Sequence, residues 1–242
     1  MIEGRHPVLE CLKAGKPLNK ILIARRIGRH DIISQIVQLA KQKSIRVEYA
    51  ERSILQKLCG GRNHQGVIAF IAEAEYVEVD DLLAIAHAKG EVPFIILLEG
   101  IEDPHNLGAI IRTADAAGAH GIVIPKFRAA GLTAVVSKVS AGAVAHVPVA
   151  RVSNMNDCIK KLKEQRVWVM GLDGEATIEF TKADFKLPLA LVVGGEGKGL
   201  SRMAKENCEM LVKIPMKGHI NSLNASVAAA VVMYEVVRQR GN

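Results

Sequence analysis

Three short clusters gather charged, amide and glycine residues close enough to bind a ligand or catalyse a reaction. The first is Glu99-Gly100-Ile101-Glu102-Asp103-Pro104-His105-Asn106, followed six residues later by Arg112. An arginine inside the otherwise apolar stretch 107–117 stays charged and so needs a carboxylate or phosphate partner. Asp115, three residues on, could supply a plain structural ion pair; a phosphate would make the arginine a clamp on a nucleic acid. The second cluster is Val193-Gly194-Gly195-Glu196-Gly197-Lys198-Gly199-Leu200. Four glycines in six positions let the backbone approach a ligand closely, because no Cβ stands in the way. The third is Ile214-Pro215-Met216, then Ser222-Leu223-Asn224-Ala225-Ser226, where Ser222 or Asn224 can cap a final helix. Asn106 is likewise expected as the cap of the helix that follows it.

The glycine loop fails two familiar patterns. Counted from Gly194, G-x-x-x-x-G-K-[ST] would need lysine where Leu200 stands, and counted from Gly195, G-x-G-x-x-G ends on the same leucine. It does contain G-x-G-x-G at Gly195, Gly197 and Gly199, the loop of ordinary Rossmann-like methyltransferases. Those enzymes need several more strands after it, and only 43 residues remain.

The elements that must position these clusters read as alternating strand and helix. In the first third, 20–24, 45–49 and 67–72 are expected as strands, with helices 31–43 and 53–58 capped by Asp31 and Ser53. A polar stretch from 73 and a short helix over 80–89 place a boundary near 74–91. The domains expected are therefore 1–75, a linker 76–91, and 92–242. The second part predicts strand 94–98, helix 107–117, strand 121–124, a small-residue segment 132–145, helix 154–165 and strand 167–172. Strands 189–193 and 210–214 and helix 223–240 complete it. Near-continuous apolar strands separated by helices imply an α/β fold with a parallel sheet covered on both faces. All three clusters would then lie at carboxyl ends of strands or adjoining helix starts, where open α/β sheets bind ligands.

Composition narrows the class. Apolar residues at 49% and charged residues at 24% are an ordinary globular balance, and 4% aromatics leave the core to aliphatic side chains. No apolar stretch approaches a membrane span, and the N-terminus lacks a signal-peptide pattern. Four widely spaced cysteines argue against zinc or a disulfide framework and for a reducing cytoplasm. The net charge of +7 is uneven: residues 1–75 carry +6 and residues 76–242 only +1. A basic module beside a near-neutral one suggests a polyanion-binding unit attached to something else.

Taken in order, the three clusters resemble the motifs of the SPOUT superfamily, in its SpoU/TrmH class of RNA ribose 2′-O-methyltransferases. The match covers Asn106 through Arg112, Gly194 through Leu200, and Ile214 to Met216 with Ser222 to Ser226. Glu3-Gly4-Arg5-His6-Pro7-Val8 and His64-Gln65-Gly66-Val67 resemble the class as well, so the likeness spans the chain. The resemblance implies a parallel-sheet domain ending in a deep trefoil knot, which general topology rules would not suggest. It also implies a small N-terminal α/β RNA-binding domain, in keeping with the charge asymmetry. The implied cofactor is S-adenosyl-L-methionine, held by Gly194, Gly195, Ile214, Met216 and Leu223, with no metal. Catalytic roles fall on Arg112, Asn106, Glu196, Ser222 and Asn224. The implied substrate is a guanosine ribose of 23S rRNA, with tRNA, or an inactive RNA-binding assembly protein, as alternatives. A dinucleotide-dependent oxidoreductase is disfavoured by the missing fingerprint. The final helix, apolar over 225–237, and the class together imply a homodimer.

Overall fold

Side chains alternate across a strand, so a strand with apolar residues in both alternating sets must be covered on both faces. The protein is described from a computed structural model, which describes residues 1–14, 18–25, 31–71 and 76–241. The chain divides into two units, Met1–Glu73 and Ala74–Asn242. Among the described residues, no helix is long and apolar enough to cross a membrane.

The first unit runs β1 (Ile2–Glu3), α1 (Arg5–Lys13), β2 (Leu18–Ala24), α2 (Asp31–Gln42), β3 (Arg46–Ala50), α3 (Arg52–Leu58) and β4 (Val67–Ile71). Its sheet has the order β1-β4-β2-β3. β4 is antiparallel to β1 and β2, and β2 is parallel to β3. Ile21 and Ile23 of β2 pack with Val8 and Leu12 of α1 and Ile36 of α2. Leu22 and Ala24 pack with Leu55 of α3 on the other face. The sequence pattern did not predict α1, which carries Pro7 in its first turn. Proline in a first helical turn costs no internal hydrogen bond, so α1 tolerates it. Ser53 is not a cap: α3 begins at Arg52, and Glu51 precedes it without a side-chain bond. Asp31 is the first helical residue of α2. The expected strand end at Ala72 and the segment 73–75 lie outside the described residues.

The second unit contains α4 (Val79–Lys89), β5 (Phe94–Glu99), α5 (Pro104–Ala116), β6 (Gly121–Pro125), α6 (Ala134–Val139), β7 (Val149–Val152), α7 (Met155–Glu164) and β8 (Trp168–Leu172). β9 (Ile178–Glu179), β10 (Leu189–Gly194), α8 (Arg202–Asn207), β11 (Met210–Lys213) and α9 (Ala225–Arg240) follow. The seven strands take the order β7-β6-β5-β10-β8-β11-β9, every pair parallel. Ile96, Leu98, Leu191 and Val193 face α5 and α9, through Leu107, Ile111, Val232 and Met233. Ile95, Leu97, Ala190 and Val192 face α4 and α7, through Leu82, Leu83, Ile159 and Leu162. The stretch 76–91, expected as a linker, is instead part of this layer. Val77 pairs with Ala150 beside β7, and Asp80 binds Lys161 and Gln165 of the α7 region.

Strand order reverses between β5 and β10. β6 and β7 continue outward from β5, while β8, β11 and β9 lie beyond β10. The carboxyl ends of these two neighbours are Glu99 and Gly194, which pair in register. Such a switch point opens a crevice where ligands bind.

Candidate active site

The crevice is built first from main chain. Past β10, Gly195 N donates to Glu99 O at 2.8 Å, and Gly199 N turns back to Gly195 O at 3.0 Å. Ser201 N donates to Glu99 Oε2 at 2.9 Å, tying the exit of the glycine loop to the end of β5. A Cβ on Gly194 would sit 2.2 Å from the carbonyl carbon of Gly199, and one on Gly195 would sit 2.1 Å from Gly100 O. The missing Cβ at these two positions is thus required by the close approach of the protein's own backbone at Gly199 and Gly100.

Two distant side chains, Asn106 and Asn224, converge on Glu196 of that loop. α5 is capped by Asp103, whose Oδ1 accepts from His105 N at 2.9 Å, with Pro104 at the first helical position. Asn106 is thus not the cap, as expected, but lies within the first turn, buried and pointed inward. Its Nδ2 donates to Glu196 Oε1 at 3.0 Å, and its Oδ1 accepts from Asn224 Nδ2 at 2.9 Å. Asn224 Nδ2 also meets Glu196 Oε1. Asn224 Oδ1 caps α9, accepting from Ser226 N at 3.0 Å and Val227 N at 3.3 Å. A carboxylate that takes amide donors at the opening turns of two helices is favoured there by their dipoles. The geometry fixes Glu196 as an oriented acceptor, and Asn224 as both helix cap and bridge.

This network is the edge between two cavities. One, about 740 Å³, is lined by Gly194, Gly195, Ile214, Met216 and Leu223, together with Glu196, Ser222 and Asn224. Its size and its mixed apolar and polar lining suit a small organic ligand. The other, about 760 Å³, opens on the β5 side and shares Gly195, Glu196 and Gly199 with the first. Asn106 lines this second cavity.

Arg112 is the site candidate that the structure does not gather in. It is exposed on α5, lines neither cavity, and has no hydrogen bond or ion pair among the described residues. The considered ion pair with Asp115 is not formed. Ser222 lines the first cavity and makes no side-chain hydrogen bond among the described residues. Among the described residues, no group of three His, Cys, Asp or Glu could hold a metal ion. Burial pushes the Cys158 thiol up to about 11 and the Cys208 thiol up to about 12, so neither is a nucleophile at neutral pH. Sequence reasoning gave no role to Glu99, whose carboxylate anchors the loop, and overlooked the exposed Phe127 at the second cavity. A signal for Phe127 was present: it is one of only five phenylalanines, and it follows a strand end.

Comparisons with known proteins bear on this geometry. The SpoU rRNA Methylase family matches residues 93–234. A family described as RNA 2′-O ribose methyltransferase substrate binding matches residues 1–77. The chain is 49% identical over 237 residues to YacO of Bacillus subtilis, named as a TrmH family tRNA/rRNA methyltransferase, covering 98% of this chain and 94% of that protein. The structure is similar to the SpoU methyltransferase AviRb from Streptomyces viridochromogenes, solved with AdoMet. The TM-score is 0.69 at 25% identity, over 99% of this chain and 89% of that one. It also resembles an AdoMet-bound rRNA methyltransferase from Sinorhizobium meliloti, with a TM-score of 0.67 at 25% identity, over 98% and 85% of the two chains.

Proposed function

The chain belongs to the SpoU rRNA methylase family, and on that premise we propose that this S-adenosylmethionine-dependent RNA methyltransferase modifies the 2′-hydroxyl of a guanosine ribose in 23S rRNA. The observation that carries the reading is the Asn106–Glu196–Asn224 network, drawn from three distant segments to the edge of a ligand-sized cavity at the switch point. The cavity fits the cofactor in kind. Ile214, Met216 and Leu223 offer apolar walls for an adenine ring, and main chain at Gly194, Ile214 and Leu223 offers polar groups for the adenosine end. Bound S-adenosylmethionine supplies an electrophilic methyl group on a sulfonium.

The rest of the chemistry belongs to the protein and the RNA. The ribose 2′-oxygen gains the methyl and loses its proton to solvent or to a substrate phosphate. A guanidinium has a pKa above ~12 and is a poor base, so Arg112 acts as a clamp on the phosphate beside the target. Its charge also stabilises the alkoxide that develops on the attacking oxygen. Asn106, Glu196, Ser222 and Asn224 orient the ribose. The exposed, unpaired state of Arg112 is what a group waiting for an anionic partner would show.

The same reading includes the C-terminal trefoil knot of the class, a cytoplasmic location with the RNA, and a homodimer. Val227, Val231 and Tyr234 form one exposed apolar stripe along α9, at the spacing of a single helix face. Pairing two copies there would cover the stripe and let residues of one subunit complete the other's site. A monomer in sedimentation at micromolar concentration would remove this part. The test of the substrate is nucleoside mass spectrometry of 23S rRNA and tRNA from cells with and without the gene. Loss of 2′-O-methylguanosine from 23S rRNA alone is expected; loss from tRNA would move the activity to tRNA.

A further inference from the structure

The second cavity is chemically unlike the rest of an RNA-binding protein. Four carboxylates line it, Glu99, Glu102, Asp103 and Glu196, against two cations, Arg128 and Lys198. A backbone phosphate would be repelled there, while a neutral group rich in N–H donors would be drawn in. Three of the carboxylates are already engaged: Glu99 with Ser201 N, Asp103 with His105 N, and Glu196 with the two asparagines. Glu102 is exposed and has no hydrogen bond or ion pair among the described residues, so both its oxygens are available.

Phe127 lines the same cavity and is 76% exposed. Its loop is held on both sides. Lys126 N donates to Val152 O at 2.8 Å, Arg151 donates to Lys126 O at 2.9 Å, and Ala130 N donates to Ile101 O at 2.8 Å. Arg128 is fixed in the left-handed region at φ 54°, a conformation that costs a non-glycine residue energy and tends to cluster at functional sites. An aromatic ring displayed on ordered main chain is a stacking platform with little left to immobilise.

We propose that this cavity receives the target base, turned out of its RNA strand, with Phe127 stacking on the ring and Glu102 reading its edge as guanine. The inference rests on the ribose-methylation reading above. Guanine is the one common base with two adjacent donors, N1–H and the N2 amino group, on its Watson–Crick edge. A carboxylate accepts such a pair in parallel. Adenine and cytosine place an unprotonated ring nitrogen beside their amino group, and uracil offers a single N–H between two carbonyls, so each meets repulsion. A base turned out of the stack can be held between side chains and read along its Watson–Crick edge, while its ribose is presented to the methyl donor. Gly195 and Glu196 line both cavities, so a base in the second sets its ribose at the shared edge, facing the methyl donor in the first.

The test is single-turnover methylation of unmodified 23S rRNA, and of a fragment carrying inosine, which lacks the N2 amino group, at the modified position. Phe127→Ala is expected to raise the RNA concentration for half-maximal rate by about tenfold to a hundredfold, the range for loss of one base stack. Glu102→Gln is expected to lower guanosine methylation at least tenfold and to abolish the extra penalty that inosine carries with the natural protein. Calorimetric binding of S-adenosylmethionine should be unchanged in both. Natural RNA dependence in Phe127→Ala, or equal inosine penalties with and without Glu102, would overturn the proposal. If the natural protein instead methylates another nucleoside, the guanosine assignment falls, and Phe127→Ala alone then decides whether the cavity holds a base.

Discussion

Arg112 stands exposed on α5 without a partner among the described residues, so the chemistry assigned to it can be separated from any structural role. Arg112→Lys keeps the charge and loses the planar two-pronged donor, and Arg112→Ala loses both. Each variant is expected to bind S-adenosylmethionine normally and to lose methyl transfer by at least ~100-fold, as on removal of one preorganised stabilising group. Thermal stability should hardly change, because no ion pair is broken; single-turnover rates beside calorimetry check both halves. Near-normal turnover in Arg112→Lys would leave only a charge requirement. At this scale the sequence offered Ser222 or Asn224 as the cap of the final helix, and the cap is Asn224. The sequence was misread for Asn106. Asp103 followed by Pro104 is a cap-and-first-turn signature, and it moves Asn106 inside the helix, where its side chain is spent on Glu196 rather than on the backbone.

At the scale of elements, the glycine loop and the entry to β5 make opposite demands on substitution. Gly195→Ala would drive a methyl group into Gly100 O, parting β10 from the end of β5. It is expected to abolish cofactor binding and lower the melting temperature. Gly197→Ala meets nothing within 4 Å but must hold φ 84°, a strain of roughly 1–2 kcal/mol that leaves the cavity in place. Denaturant midpoints with cofactor calorimetry distinguish the two. Near β5, buried His120 accepts from Phe94 N through Nδ1 at 3.0 Å and faces Glu91 Oε2 through Nε2 at 2.9 Å. Burial lowers its pKa below the ordinary value of 6.5, outweighing the pull of Glu91. The unfolded chain therefore takes up a proton that the folded one refuses. This contribution to stability is complete above about pH 6.5 and is lost as pH falls below it toward the folded pKa. Urea midpoints at pH 7.5 and 5.5 should differ less in His120→Gln than in the natural protein. The long buried strands were legible because their apolar runs exceed chance. The two-residue strands β1 and β9 and the short α8 were not, since so few residues carry no period.

For the whole molecule, the division at Glu73 and Ala74 follows the charge asymmetry of the sequence, but the expected linker does not exist as such. A chain starting at residue 92 would strip α4 from Ile95, Leu97 and Val123, whereas one starting at 74 keeps that layer. The longer fragment is expected to fold and bind S-adenosylmethionine, and the shorter to be markedly less stable. Both should lose most RNA affinity and the steep salt dependence that the +6 charge of the first third gives through counterion release. Filter binding across a salt series reads this, and unchanged affinity would contradict the division of labour. The α/β class was legible because the strand-helix alternation is long. The strand order was not, because the position of β10 between β5 and β8 is decided by packing over nearly a hundred residues of chain. The most direct test of the central claim is to incubate the purified protein with unmodified rRNA and isotopically methyl-labelled S-adenosylmethionine, then digest the RNA with alkali. A 2′-O-methyl group blocks cleavage of its own linkage, so the account predicts label in an alkali-resistant dinucleotide whose 5′ nucleoside is guanosine. Label on a free base-methylated nucleotide, or no label in any RNA, would contradict it.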